Sequence, residues 1–147
     1  MVTNDDKNFI VGFTCSAFDL FHAGHLLMLK EAKAQCDYLI VGLHVDPSLD
    51  RPEKNSPVQS VLERWIQLQG CSYVDEIVPY ETESDLLIIL QNWDVDLRIL
   101  GKEYMNIPYT GDNLSVPVYF NSRNHGYSSS SLRTRVLLAE RENLHLK

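Results

Sequence analysis

Short apolar runs alternate with amphipathic segments along almost the whole chain. The runs at 9–13, 38–43, 75–79, 97–100 and 116–120 have the length and composition of strands that are buried on both faces. Segments with apolar residues at helical spacing lie between and after them. Because strands separated by helices form parallel sheets with crossover connections, the pattern predicts an α/β domain. We expect a doubly wound, mostly parallel five-stranded sheet with helices on both faces, as in Rossmann-like folds.

The helical segments are predicted at 25–36, from residue 56, at 84–93 and from 128 to about 140. The second begins with Ser56-Pro57-Val58-Gln59, in which serine is the expected cap, proline lies in the first turn and glutamine reaches back as in a capping box. Its predicted apolar stripe consists of Val58, Leu62, Trp65 and Ile66. In the last helix, Leu132, Val136 and Ala139 are expected on one side.

The size and composition are those of one domain spanning 1–147, with a core at about 8–140. The apolar runs are far shorter than the ~20 residues of a membrane span. The chain opens with the polar stretch MVTNDDKN, which lacks the apolar region of a secretion signal. Three cysteines without CxxC spacing are typical of free thiols in a reducing compartment. We therefore expect a cytoplasmic protein with no membrane span.

The formal net charge of −7 argues against a nucleic-acid partner, which would need a basic face. It does not exclude an anionic small molecule. Exposed charges are screened beyond ~8 Å at physiological salt, so the local charge of a cleft outweighs the total.

The stretch SAFDLFHAGH follows the first predicted strand, and its histidines, His22 and His25, lie next to the start of a helix. A helix N-terminus presents unpaired N–H groups and a partial positive charge, which suit phosphate. Ala23 and Gly24 would let an anion approach the backbone. An imidazolium donates from both ring nitrogens, and a nearby phosphate favours that charged form. The arrangement therefore favours a polyphosphate ligand.

Other interpretations of the two histidines remain open. They could form a transition-metal pair, although no further histidine or cysteine has ligand spacing. They could also be core or surface residues without a role. A redox or flavin-type domain is compatible with the fold, but the chain has no glycine-rich dinucleotide fingerprint.

Two motifs resemble those of the cytidylyltransferase-like nucleotidyltransferases. Residues 18–25, FDLFHAGH, resemble F-D-x-x-H-x-G-H, and residues 123–130, RNHGYSSS, resemble R-x-x-G-I-S-[ST]-T, with Arg133 at the position of a further arginine. Residues 72–79, SYVDEIVP, are similar to R-Y-V-D-E-V-I-P of glycerol-3-phosphate cytidylyltransferases. The resemblance covers about 9–137 and holds both motifs in the expected order.

The resemblance implies a nucleotidyltransferase that moves CMP from CTP to a small phosphorylated acceptor and releases pyrophosphate without a covalent intermediate. Glycerol 3-phosphate is the first acceptor that it suggests. Phosphocholine, phosphoethanolamine, a sugar phosphate, and ATP as donor remain alternatives, as does a non-catalytic nucleotide-binding module. Mg²⁺ is expected with the triphosphate, held by few protein ligands. The family also implies a homodimer.

The resemblance assigns catalytic roles to His22 and His25 as phosphate donors, to Arg123 as a guanidinium that suits phosphate oxygens, and more loosely to Lys54 in the long loop. Asp19 is expected near substrate or metal, or as a turn-forming residue. Arg51 matches less closely than Lys54, and Arg64 matches a family arginine or forms a helix-face ion pair. The implied nucleotide-binding residues are Ser16, Ala17, Phe18, Asp19, Gly24, Gly101, Glu103, Tyr104, Tyr127, Ser128, Ser129, Ser130 and Arg133.

Residues 101–104, GKEY, stand where the glycerol-3-phosphate enzymes have G-D-D-W beside the base. A carboxylate at Glu103 would accept from the amino group of cytosine or of adenine, so the base is not fixed by this residue. Ser16-Ala17 replaces the usual Gly-Thr, and Ser131 replaces a lysine, which leaves the acceptor open.

Overall fold

Five parallel strands form the sheet of the computed structural model, which describes residues 8–146. The strands are β1 Val11–Ser16, β2 Tyr38–His44, β3 Glu76–Tyr80, β4 Leu97–Gly101 and β5 Val118–Asn121. They lie in the order β3-β2-β1-β4-β5, and every neighbouring pair is parallel. The predicted doubly wound parallel sheet is confirmed.

Within residues 8–146, four α-helices connect or follow the strands: α1 Ala23–Lys33, α2 Val61–Gln69, α3 Glu83–Asn92 and α4 Ser129–Leu146. The chain builds the sheet outward from β1 through β2 to β3, then crosses back so that β4 lies on the other side of β1. The order therefore reverses between β1 and β4, and ligands of such sheets bind in the crevice at the carboxyl ends of the strands on either side of this point.

The core is divided between the two faces of the sheet. One cluster packs α1 and α2 against the sheet and includes Leu29, Leu68 and Ile99. The other packs α3 against the opposite face and includes Phe13, Leu86, Ile89 and Leu90. Helices on both faces agree with the prediction.

The first strand lies two residues later than predicted at its start and extends three residues further at its end. Phe9 and Ile10 precede it and are 53% and 40% exposed. The pairing with β2 continues through Cys15 and Ser16, which lie opposite Gly42 and Leu43. The predicted site residue Ser16 is therefore the last residue of the strand.

The predicted start of α2 at Ser56 was wrong. Ser60 caps the helix, and Glu63 completes a capping box with it. The side chain of Gln59 accepts a hydrogen bond from the Leu20 N–H instead of reaching back to Ser56. The local cap at Ser56 is as suitable as the one at Ser60, and the long-range contact of Gln59 with Leu20 favours the start at Ser60.

The predicted apolar stripes of α2 and α4 are mostly exposed, although Trp65 packs against the core and Leu132 is half-buried. In α2, Leu62 and Ile66 are more than half exposed, and Arg64 and Leu68 are the buried residues. In α4, Val136 is 54% exposed, and the helix extends to Leu146 rather than ending near 140.

No helix within residues 8–146 has the length and apolar character needed to cross a membrane. The polar segment 1–7, which supported the expectation of a cytoplasmic location, lies outside the described residues.

Candidate active site

A cleft of about 620 Å³ opens at the carboxyl edge of the sheet, where β1 and β4 lie side by side. The N-termini of α1 and α4 both border it. Every residue to which the sequence assigned a catalytic or nucleotide-binding role lines this cleft. The two motifs, about a hundred residues apart in the chain, thus meet in one place.

His22 caps α1 with its imidazole ring. Its Nδ1 accepts a hydrogen bond from the Gly24 N–H at 3.0 Å, and its Nε2 lies 3.2 Å from the hydroxyl oxygen of Ser129. That hydroxyl donates to the backbone carbonyl of Asp19 at 3.1 Å. Since a carbonyl can only accept, the Ser129 oxygen accepts from His22, and His22 is the neutral tautomer with its proton on Nε2.

His25 stands in the first turn of α1 and is held by the same cap. Its Nδ1 accepts from the backbone N–H of His22 at 3.2 Å, and its ring stacks between those of His22 and Phe21 at centroid distances of 3.9 Å and 5.5 Å. Among the described residues nothing accepts from Nε2 of His25, so this N–H remains available to a ligand in the cleft.

The pKa values of both histidines favour the neutral form. Burial and, to a smaller extent, the repulsion that a protonated His22 would exert lower the pKa of His25 to about 3, although the charge of Asp19 acts in the opposite direction. Burial also lowers the pKa of His22, as do the charges of His125 and Arg135. The expectation of a doubly donating imidazolium is therefore corrected: each ring accepts a backbone N–H through Nδ1 and donates only through Nε2.

The structure gives glycine at position 24 a different role from the one predicted. A β-carbon at this position would lie 2.8 Å from Cε1 of His22 and 3.0 Å from Cε1 of His125. The Gly24 N–H is already bonded to His22. The glycine therefore makes room for two imidazole rings rather than exposing its backbone to an anion.

Asp19 ties three segments together. One carboxylate oxygen accepts from the Gln59 N–H at 2.9 Å, and the other accepts from the Val58 N–H at 2.9 Å and from the Arg133 guanidinium at 2.8 Å. Burial alone would raise the pKa of Asp19, but these hydrogen bonds and the charge of Arg133 outweigh it and hold the pKa below its ordinary value. Asp19 is thus a positioning residue at the edge of the cleft.

The donors around Asp19 make it a poor ligand for Mg²⁺, because both of its oxygens already face N–H groups. His44, Asp50 and Glu83 place one possible ligand atom each within 4.8 Å of one another. However, Asp50 accepts from the Glu83 N–H at 2.6 Å, and Glu83 is paired with Arg51 at 3.2 Å. A cation at either place would have to displace existing partners.

The serines at the start of α4 differ in what they leave to a ligand. Ser128 accepts the Ser131 N–H at 3.1 Å and caps the helix, and Ser129 is engaged with His22 and Asp19. The hydroxyl of Ser130 is exposed at the cleft without a hydrogen bond among the described residues. The helix N-terminus itself adds a partial positive charge.

The far wall of the cleft carries the segment predicted beside the base. Arg123 and Glu103 form an ion pair of 3.4 Å in which each side chain is 47% exposed. A β-carbon at Gly101 would overlap the Glu103 carboxylate, so this glycine lets the side chain fold back over the strand end. Tyr104 meets Tyr109 edge to face at 6.3 Å.

The loop after β2 brings two basic residues to the cleft. Lys54 is exposed, and Arg51 is paired with Glu83. Arg64 does not line the cleft, and it forms no ion pair with any residue between 8 and 146. It is 2% exposed and donates to backbone carbonyls at the ends of β1 and β2, those of Ala17, His44 and Val45 among them.

The sequence assigned no role to several further residues of the cleft, among them His125, Arg98 and Asn121. His125 lies against Gly24, and its Nδ1 accepts from the Tyr127 N–H. Arg98 and Asn121 are 4% and 3% exposed, and both have buried polar atoms without a partner. The sequence did contain one indication of Arg98, because a charged residue within an apolar strand needs a partner. It contained no comparable indication of His125 or Asn121.

Residues 13–135 match the family described as cytidylyltransferase-like. The "Bifunctional protein HldE" of Helicobacter pylori (strain HPAG1) is 33% identical over 125 residues, which cover 84% of this chain and 27% of that protein. The "Probable ethanolamine-phosphate cytidylyltransferase" of Encephalitozoon cuniculi is 44% identical over 84 residues, which cover 56% of this chain and 26% of that protein. The chain thus spans about a quarter of the length of these curated relatives.

Solved structures show the same fold. The lipopolysaccharide core biosynthesis protein from Thermoplasma volcanium superposes with a TM-score of 0.57 at 19% identity, covering 90% of this chain and 89% of that chain. The pantoate-beta-alanine ligase from Francisella tularensis gives a TM-score of 0.54 at 19% identity, covering 78% of this chain and 59% of that chain. The family match over most of the chain, the fold and the converging motifs agree, and the chain belongs to the cytidylyltransferase-like family of nucleotidyltransferases.

Proposed function

We propose that this domain transfers CMP from CTP to a small phosphorylated acceptor, with glycerol 3-phosphate as the first candidate, and releases pyrophosphate. The observation that carries the proposal is the hydrogen bond between His22 and Ser129, which joins the N-termini of α1 and α4 across one cleft. Two helix N-termini and several basic side chains around one space suit a triphosphate.

In the proposed reaction, an acceptor phosphate oxygen attacks the α-phosphorus in line, and the bond to the β-phosphate breaks as pyrophosphate leaves with the electron pair. The Nε2–H of His25 is the available donor for the charge that builds on the α-phosphate, and a phosphate oxygen would take the Nε2–H of His22 from Ser129. Arg123 would leave Glu103 to bind phosphate oxygens. Mg²⁺ would arrive with the triphosphate and neutralise part of its charge.

The test is a pyrophosphate-release assay of CTP and ATP against phosphorylated alcohols and sugars with Mg²⁺. His25→Ala should lower turnover on the order of a hundredfold or more, as the loss of one preorganised donor does elsewhere. His145→Ala is the matched control, because His145 is exposed near the end of α4. Undiminished release by His25→Ala would contradict the proposal.

The choice of CTP rests on the match to the cytidylyltransferase-like family and on the 44% identical relative described as a probable ethanolamine-phosphate cytidylyltransferase. Calorimetric titration should show tighter binding of CTP than of ATP. Equal affinities would remove the cytidylyl part of the proposal and leave nucleotidyl transfer. Nucleotide binding without turnover on any acceptor would instead favour a non-catalytic module.

A homodimer is also part of the proposal. What supports it is the apolar surface that α2 and α4 leave exposed: Leu62 and Ile66 on the former, Val136 and Leu137 on the latter, all more than half exposed. Apolar side chains at helical spacing on a surface are typical of helix pairing between subunits.

A further inference from the structure

The cleft extends over both faces of the sheet. Its α1-face lobe contains His22, His25 and the start of α4, where the phosphates are proposed to bind. Its α3-face lobe lies on the opposite face, where Phe13, Tyr80 and Leu86 belong to the α3 cluster. The α3-face lobe is lined by Cys15, His44, Tyr80, Glu83, Arg98 and Thr110.

Arg98 is the unusual residue of the α3-face lobe. It is 4% exposed, its Nη1 donates to the Thr110 carbonyl, and its Nε is buried without a partner. The guanidinium carbon lies 5.2 Å from the centre of the Tyr109 ring. Within residues 8–146 no carboxylate lies at ion-pair distance from it. Because an uncompensated buried charge is strongly unfavourable, the site is built for an oxygen-rich partner.

Within residues 8–146, Glu83 is the carboxylate that lines this lobe, and it is already neutralised. Glu83 pairs with Arg51 at 3.2 Å through one oxygen and accepts from the Thr110 hydroxyl at 2.7 Å through the other. Both oxygens of Glu83 therefore already face donors. The lobe offers a ligand N–H groups and positive charge.

We propose that the α3-face lobe is the acceptor subsite and that Arg98 selects phosphorylated polyols or sugars, whose hydroxyl oxygens it can bind, over amino-alcohol phosphates. The inference rests on the proposed function. An ammonium group in this lobe would meet the guanidinium of Arg98, and both oxygens of Glu83, the carboxylate among the lining residues named above, are already engaged. Polyol oxygens would instead accept from the planar fork of the arginine.

The experiment compares kcat/KM for glycerol 3-phosphate, ribose 5-phosphate and phosphoethanolamine with CTP. At least one hydroxylated acceptor should exceed phosphoethanolamine by tenfold or more. Arg98→Met should raise the KM for the preferred acceptor at least tenfold while the KM for CTP changes less than twofold. This split separates acceptor binding from a purely structural role.

Arg141→Met is the matched control, since Arg141 is an exposed residue of α4 with no hydrogen bond among the described residues. Thermal unfolding shows whether each variant is folded. If Arg98→Met does not fold, Arg98→Gln keeps a donor for the Thr110 carbonyl and should show the same rise in acceptor KM.

The inference is overturned if phosphoethanolamine is the best acceptor, or if folded Arg98 variants change the KM for CTP and not that for the acceptor. It is also overturned if CTP binds by calorimetry and no hydroxylated phosphate triggers pyrophosphate release. In the first two cases the proposed function stands. Absence of both nucleotide binding and release with every acceptor rejects the proposed function and this inference together.

Discussion

The cap of α1 is an imidazole where most helices have a hydroxyl or carboxylate. An oxygen cap would satisfy the Gly24 N–H and offer nothing more of use to an anion. The ring of His22 accepts from Gly24 with one nitrogen and keeps an N–H donor on the other. His22 therefore caps the N-terminus of α1 and also supplies a hydrogen-bond donor to the cleft. Because its Nδ1 accepts the Gly24 N–H, the ring is neutral.

At the residue scale, we expect Gly24→Ala to impair turnover more than folding. The added β-carbon would lie 2.8 Å from the His22 ring and displace the donor, with a loss on the order of a hundredfold in kcat/KM. Gly70→Ala is the matched control, because its β-carbon would meet only carbonyl oxygens at 3.5 Å or more. Pyrophosphate release and thermal unfolding measure the two effects. Equal activity of the two variants would contradict this account of Gly24.

His25 makes stability depend on pH. Its pKa is about 3 in the fold and 6.5 when unperturbed, so between these values the unfolded chain binds more protons. The contribution of His25 is fully present above pH 6.5 and is lost as the pH falls toward 3, by up to about 1.4 kcal/mol per pH unit. Chemical unfolding of the wild type and of His25→Asn, between pH 6.5 and 4.5, should show a shallower slope in the variant. Parallel curves would rule out a buried neutral His25.

How far the sequence predicts individual site residues depends on the kind of contact. The motif residues meet in one cleft, as the sequence predicted, because helix N-termini that follow parallel strands lie at one edge of the sheet. The roles of Gly24 and Asp19 were not predictable, because their partners, His125 and Arg133, lie more than a hundred residues away in the chain. The role of Arg98 was not predictable either, because its contact with the Tyr109 ring depends on a loop without periodicity.

At the element scale, polar side chains join the segments around the cleft in addition to the hydrophobic core that most of them share. Asp19 holds the start of α2 and, through Arg133, the first turns of α4 against the loop after β1. Arg64 holds the carboxyl ends of β1 and β2 from behind. The start of α2 was mispredicted for this reason: Ser56-Gln59 and Ser60-Glu63 are equally good local caps, and the contacts of Gln59 with Leu20 and Asp19 decide between them.

Asp19→Asn should lower the free energy of unfolding by about 2–3 kcal/mol. The side chain loses its negative charge, and the NH₂ group of the amide faces a backbone N–H that needs an acceptor. Asp94→Asn is the matched control, since Asp94 is exposed and has no hydrogen bond among the described residues. The folded pKa of Asp19 is lowered, so its contribution is fully present above about pH 4. The difference between wild type and variant should therefore be constant from pH 5 to 8 and shrink below pH 4. A difference that grows toward low pH would contradict the role of the carboxylate.

At the scale of the whole molecule, the alternation of strands and helices correctly predicted a parallel sheet with helices on both faces. It did not predict which apolar residues are buried. The exposed stripes of α2 and α4 have the spacing of core-facing helices, and periodicity cannot distinguish packing within one chain from packing between two.

The proposed homodimer predicts a species of twice the chain mass in sedimentation equilibrium. Leu62→Lys should shift it toward the monomer with CTP binding retained, and a wild type that is monomeric at high concentration would refute the dimer.

The central claim is that the two strand-to-helix junctions form one binding site for a nucleoside triphosphate. The most direct measurement is an NMR titration with CTP that follows the ring nitrogens of His22 and His25 and the backbone amides of Ser129 and Ser130. We predict that signals from both junctions shift together along curves with one Kd. Shifts confined to one junction, or two different Kd values, would contradict the claim.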